Sequence, residues 1–130
     1  MKGKILVMDD QVGIRMLLKE ALELDGHEVE TVSSGYEFLE QLRYDNYDFL
    51  IMDLWVPDFE GYELVSEVKK HESTDKIMMI SGNSCPETKK KVKQQGITKY
   101  LEKPFDLDSL KYQVEQNLEQ ITVDSTCCNL

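Results

Sequence analysis

The sequence is short of positive charge: 15 Lys and Arg stand against 25 Asp and Glu, a formal net charge of −10. Such a balance repels a phosphate array, so neither nucleic acid nor an anionic membrane surface is expected as a direct partner. Cysteine is scarce and poorly placed for cross-linking. The three present are Cys85, Cys127 and Cys128, an odd number with two adjacent, and no disulfide framework follows. A reducing, cytoplasmic setting is expected. No apolar run reaches the ~20 residues of a membrane span. The apolar stretch Ile5 to Met8 stops at Asp9-Asp10, too short for the apolar core of a signal peptide. Cys127-Cys128-Asn129-Leu130 formally fits a prenylation box, but Asp124 rather than a basic cluster lies upstream, so the end is read as an inert tail. There is no internal repeat and no low-complexity segment.

What is present is enough for one folded unit. A chain of 130 residues with a 41% hydrophobic share can bury a single core. Apolar runs alternate with helical patterns five times. Lys4 to Asp9, Asp48 to Asp53 and Lys76 to Ser81 are continuous runs, the mark of parallel strands covered on both faces. Glu28 to Val32 and Thr98 to Lys103 alternate polar and apolar and read as edge strands.

The intervening helices are amphipathic. The first places Ile14, Leu17, Leu18, Ala21 and Leu22 on one face and ends at Asp25-Gly26. The second opens with a capping-box pattern, Ser34-Gly35-Tyr36-Glu37, and offers Phe38, Leu39 and Leu42. The third follows Gly61 with Leu64, Val65 and Val68. The fourth opens with a similar pattern, Ser84-Cys85-Pro86-Glu87, but carries only Val92 as a strong apolar residue among Lys89, Lys90, Lys91 and Lys93. It is expected to be the most loosely held. The last starts at Asp106 and offers Leu107, Leu110, Val114, Leu118 and Ile121. Periodicity ends near Thr122, so residues 1–121 are read as the domain and 122–130 as a flexible tail or linker stump. This alternation predicts an α/β fold: a single doubly wound, five-stranded parallel sheet of order 2-1-3-4-5, flavodoxin-like, with five helices.

In such a sheet ligands sit beyond the carboxyl ends of the strands. There the sequence delivers Asp9-Asp10, Asp53, Ser81 and Lys103, from four different strands. One acid pair alone is better read as capping a strand-to-helix turn, as Asp9 or Asp10 could cap the first helix. Together, three carboxylates repel unless cations join them. Lys103 supplies one charge, and a few hard oxygen ligands with open positions suit Mg²⁺. A carboxylate can also hold a phosphoryl group as an acyl phosphate, a transfer that needs charge neutralisation above all. Asp53, ending a central strand, is the candidate nucleophile.

These residues resemble the receiver domain of two-component response regulators, over roughly residues 3 to 120. The resemblance rests on Asp9-Asp10, on Asp53-Leu54-Trp55-Val56-Pro57 continuing to Gly61, on Ser81-Gly82, and on Lys103-Pro104-Phe105. It implies a chemotaxis-regulator-like phosphoryl-accepting switch with Asp53 as phosphoacceptor. Asp10 would bind Mg²⁺ directly, Asp9 mainly through water, and the backbone carbonyl of Trp55 would complete the metal's protein ligands. Lys103, with a cis bond to Pro104, would pair with the phosphoryl oxygens, and Ser81 would donate to them. Tyr100 would be the aromatic that turns inward with Ser81. The implied phosphoryl donor is a sensor histidine kinase or a histidine phosphotransfer protein. The implied output is a downstream protein target or output domain, reached through the fourth helix, fifth strand and last helix, with a phosphorylation-dependent homodimer possible there. A receiver is a phosphoacceptor, not an enzyme on other substrates.

Departures are few. Trp55 is unusually bulky and would shield the acyl phosphate, Val56 replaces a more usual Met, Gly82 a usual Ala, and Asn83 can reach the mouth of the site. His27 and His71, the two histidines, lack ligand spacing and read as surface residues. Two other readings stay open. An aspartyl-nucleophile phosphatase wants a second Asp where Trp55 stands, and a receiver-like interaction module would keep the fold without using phosphate. A flavin-binding protein of this topology is not expected, because no Ser/Thr/Gly-rich phosphate loop follows the first strand.

Overall fold

A computed structural model describes residues 2–82 and 86–128. The order of elements is β1 (Lys4–Met8), α1 (Val12–Leu24), β2 (Glu28–Val32), α2 (Gly35–Tyr44), β3 (Phe49–Asp53), α3 (Gly61–Lys69), a 3₁₀ turn at Thr74–Lys76, β4 (Ile77–Ser81), α4 (Pro86–Gln94), β5 (Lys99–Glu102) and α5 (Leu107–Cys128). The five strands form one parallel sheet in the order β2-β1-β3-β4-β5, as the alternation of patterns requires.

The continuous apolar runs are explained by two cores. Leu6 and Met8 of β1, Leu50 and Met52 of β3, and Ile77 and Met79 of β4 face one side, against Phe38 of α2, Leu64, Val65 and Val68 of α3, and Val92 of α4. The alternate residues Ile5, Val7, Phe49, Ile51, Met78 and Ile80 face the other side, against Leu18 and Leu22 of α1 and Leu110, Val114 and Leu118 of α5. A strand that contributes side chains to two cores has no polar face to show in its sequence. Every residue of β3 and of β4 is buried, whereas β2 alternates and no residue of β5 is fully buried.

Ser34 caps α2 by accepting the Glu37 N–H at 3.2 Å. Gly26 follows α1 with φ +93°, a left-handed conformation that glycine adopts without steric cost. For the fourth helix, Ser84 and Cys85 of the expected cap lie outside the described residues, as does Asn83. Val92 is the buried residue of α4, as its composition implies.

Three expectations are corrected. Leu17 is 43% exposed, because α1 turns a narrower face to the sheet than its apolar pattern suggests. Helix α5 runs on through Thr122 to Cys128, so the loss of apolar periodicity does not stop the helical backbone. His27 is not a surface residue but is 4% exposed. Its Nδ1 accepts the Gly3 N–H at 3.1 Å, and its Nε2 lies 2.8 Å from Glu115 Oε1, joining the start of β1 and α5 through one ring. A buried imidazole whose two nitrogens are both partnered costs little, which is why the core accepts it.

Candidate functional site

Parallel strands place all their carboxyl ends on one rim. Met8 lies opposite both Val32 and Met52, and Asp53 lies opposite Ile80, so the residues that follow β1 and end β3 are neighbours. One carboxylate oxygen from each of Asp9, Asp10 and Asp53 lies within 4.8 Å of the others. Lys103, directly after β5, reaches across the rim: its Nζ is 2.8 Å from Asp9 Oδ2, 3.3 Å from Asp53 Oδ2 and 3.1 Å from Gln11 Oε1. Ser81, 4% exposed at the end of β4, accepts the Lys103 N–H on its carbonyl at 2.7 Å, which fixes the backbone from which the lysine extends. The Lys103–Pro104 bond is cis.

The acids are not spent as helix caps. The residue before α1 is Gln11, and no side chain caps that helix. Asp9 Oδ1 instead accepts the Gln11 N–H at 2.9 Å, and Arg15 donates to the Asp9 carbonyl at 2.7 Å. Asp53 Oδ1 accepts the Trp55 N–H at 3.1 Å. Asp53 is 5% exposed, and burial, opposed by the Trp55 amide and reinforced by the charge of Asp9, pushes its carboxyl up to about 6. Burial also works against the charged Lys103, but the bond to Asp9 and the charge of Asp53 outweigh it, and its ammonium is held above the ordinary lysine range.

Three carboxylates against one ammonium leave a formal charge of −2 on the rim. The donors are all hard oxygens, and one divalent cation would neutralise the excess, so the residues fit such an ion. A neutralised carboxylate at the end of a rigid strand, with an ammonium 3.3 Å away, is equipped to receive a phosphoryl group and to share its charge.

Other expected residues take clear places. Trp55 is 65% exposed at the rim. Tyr100 on β5 packs against the core beneath α3 and α4, its hydroxyl buried without a hydrogen-bond partner among the described residues. Lys89 Nζ lies 5.0 Å from the centre of its ring and bonds to Glu102. Gln11 is a site residue that the sequence did not mark, since a glutamine after two acids carries no spacing signal. Asp58 is another. It sits in the loop after β3, yet its carboxylate binds α2.

The description "response regulator receiver domain" is that of the family model matched by residues 5–115. The chain is 26% identical to the sporulation initiation phosphotransferase F of Bacillus subtilis over 91% of its own length and 95% of that protein's. It is 35% identical to the DNA-binding transcriptional regulator NtrC of Azospirillum brasilense over 91% of its own length, but spans only 24% of that longer protein. Among solved structures it superposes on a CheY-like response regulator receiver domain protein from Methanospirillum hungatei with a TM-score of 0.89 and 26% identity, covering 95% of this chain and 99% of that one. Fold, rim chemistry and relatives agree, and the chain belongs to the response regulator receiver domains of two-component signalling.

Proposed function

We propose that Asp53 is the phosphoacceptor of this receiver and that Mg²⁺ is the cation its rim takes. The observation that carries this is the convergence of Asp9, Asp10, Asp53 and Lys103 from three strand ends. Asp10 and Asp53 would hold the ion directly, with the carbonyl of Trp55, and Asp9 largely through water. When bound, Mg²⁺ supplies charge neutralisation for the incoming phosphoryl oxygens.

A carboxylate oxygen of Asp53 attacks the phosphorus of a partner's phosphohistidine. The P–N bond breaks as the P–O bond forms, and the imidazole leaves with the electron pair and takes a proton. Lys103 follows the negative charge from the carboxylate to the phosphoryl oxygens. Ser81 donates its hydroxyl to them, and Tyr100 moves with it. Hydrolysis returns the carboxylate and inorganic phosphate. The protein promotes its own phosphorylation and dephosphorylation and acts on no other substrate. The donor is a sensor histidine kinase or a histidine phosphotransfer protein, and the setting is cytoplasmic. No helix among the described residues is long and apolar enough to cross a membrane.

The output is a protein target, an output domain or a second copy, met through α4, β5 and α5, with residues 1–121 acting as the domain and 122–130 as its connection. Phosphorylation replaces one charge by about −2 and biases a two-state equilibrium. Helix α4, with Val92 as its one buried residue and four lysines against Glu87, is the element of low local stability that such a switch moves. Its lysines suit an acidic partner surface, whose binding should weaken as salt rises.

The test is incubation with Mg²⁺ and acetyl phosphate, read by intact mass. Wild type gains one phosphoryl group and Asp53→Ala gains none. Labelling of the alanine variant would overturn the assignment. A folded wild type that takes neither label nor beryllofluoride would favour the interaction module.

A further inference from the structure

Helix α2 begins with three backbone N–H groups that have no partner inside the helix. Ser34 takes the one from Glu37. The other two go to a residue from a different part of the chain: Asp58 Oδ1 accepts the Gly35 N–H and Oδ2 accepts the Tyr36 N–H, each at 3.0 Å. Burial would raise the Asp58 carboxyl, but these amide bonds hold it below the ordinary range, so it binds them ionised at neutral pH. The positive end of α2 adds to the attraction.

Neighbouring contacts make this a docked loop rather than a single bond. The Phe59 ring lies 5.5 Å from that of Tyr36. At Gly35 an added Cβ would fall 2.4 Å from Phe59 Cδ2 and 3.3 Å from Asp58 Oδ1, so the approach depends on glycine there. Val56 and Phe59 pair across the turn between them, with Val56 buried. The segment that leaves Asp53 is thus tied down three residues after Trp55.

We infer that Asp58 is a positioning residue: by clamping the loop after β3 to the first turn of α2, it fixes where the Asp53 carboxylate and the Trp55 carbonyl stand toward the metal ion. This rests on the assignment of Asp53 and Trp55 as metal ligands. A free loop would leave the ion's ligands to find their geometry on binding, and support of this kind is worth about 10–100-fold in metal affinity.

The experiment titrates Mg²⁺ against the fluorescence of Trp55, the chain's single tryptophan, in wild type, D58A, D58N and S34A. D58A should bind Mg²⁺ about tenfold more weakly. D58N should fall between, since the NH2 group that replaces one carboxylate oxygen cannot accept, while the remaining oxygen keeps its N–H bond. S34A, which uncaps the same helix without touching the loop, should keep wild-type affinity. Wild-type affinity in folded D58A, or equal weakening in S34A, would overturn the inference. If D58A does not fold, D58N decides by the same criterion. A wild type with neither a Mg²⁺ response nor labelling on Asp53 would defeat the underlying assignment, whereas a responsive, labelled wild type with an unaffected D58A would defeat the clamp alone.

Discussion

Strands β3 and β5 are separated by a single strand, yet they are built to opposite specifications. All five residues of β3 are buried: Phe49, Leu50, Ile51 and Met52 are divided between two cores, and Asp53 sits at the strand's end. Strand β5 has no fully buried residue, is flanked by an α4 with one buried side chain, and holds Tyr100, whose buried hydroxyl has no hydrogen-bond partner among the described residues. An acceptor must be held within a fraction of an ångström for transfer, and rigid elements do that. A reporting surface must have two arrangements of similar energy, and sparse packing provides them. On the function proposed above, the contrast separates chemistry from read-out within one sheet.

The largest effect should come from cutting into the rigid side. Phe49→Ala should cost ~3–5 kcal/mol in urea denaturation, and Leu101→Ala on the half-buried β5 less than half as much. Equal losses would erase the contrast. A smaller effect, of opposite sign, belongs to the rim. The folded-state value of about 6 for Asp53 lies above its ordinary 3.8, so the folded protein binds the proton more tightly than the unfolded chain. Stability is therefore lost as pH rises between those values and stays reduced above them. Asp53→Asn, neutral throughout, should stabilise the metal-free protein at neutral pH by ~1–2 kcal/mol, a figure discounted for screening at the open rim. The gain should vanish below about pH 4 and shrink in Mg²⁺, which stabilises wild type by mass action. A Tm lowered by that substitution would mean that Lys103 holds Asp53 more strongly than burial and Asp9 oppose it. The smallest effect is at Gly82, where an added Cβ would meet only Lys103 Cδ at 3.5 Å and Cβ at 3.7 Å. Gly82→Ala should raise stability by ~0.5 kcal/mol through the unfolded chain and sharpen the boundary between the held and the mobile side.

Much of this was legible beforehand, for physical reasons. A strand that feeds two cores must be apolar throughout, so β1, β3 and β4 announced both themselves and the central position of Asp53. Strand order then put Asp9, Asp10, Ser81 and Lys103 on the same rim without any distance being known. What escaped were contacts between residues far apart in the chain. Asp58 was not marked by the sequence at all, and only folding brings α2 to it. His27 reads as a polar residue beside a glycine, and nothing local announces Glu115 from α5 or the Gly3 amide. Leu17 shows the limit of periodicity, since an apolar residue at the right interval can still face water.

The imprisonment of His27 carries a last implication for how signals pass through this molecule. A phosphorus atom can travel from imidazole to carboxylate only if a ring nitrogen offers its lone pair to the outside. In this ring one nitrogen is occupied by a main-chain amide and the other by a glutamate, and its side chain shows no surface to solvent. The native chain therefore cannot use His27 as a relay station: a phosphoryl group proposed to reach Asp53 has to start from a donor other than this ring.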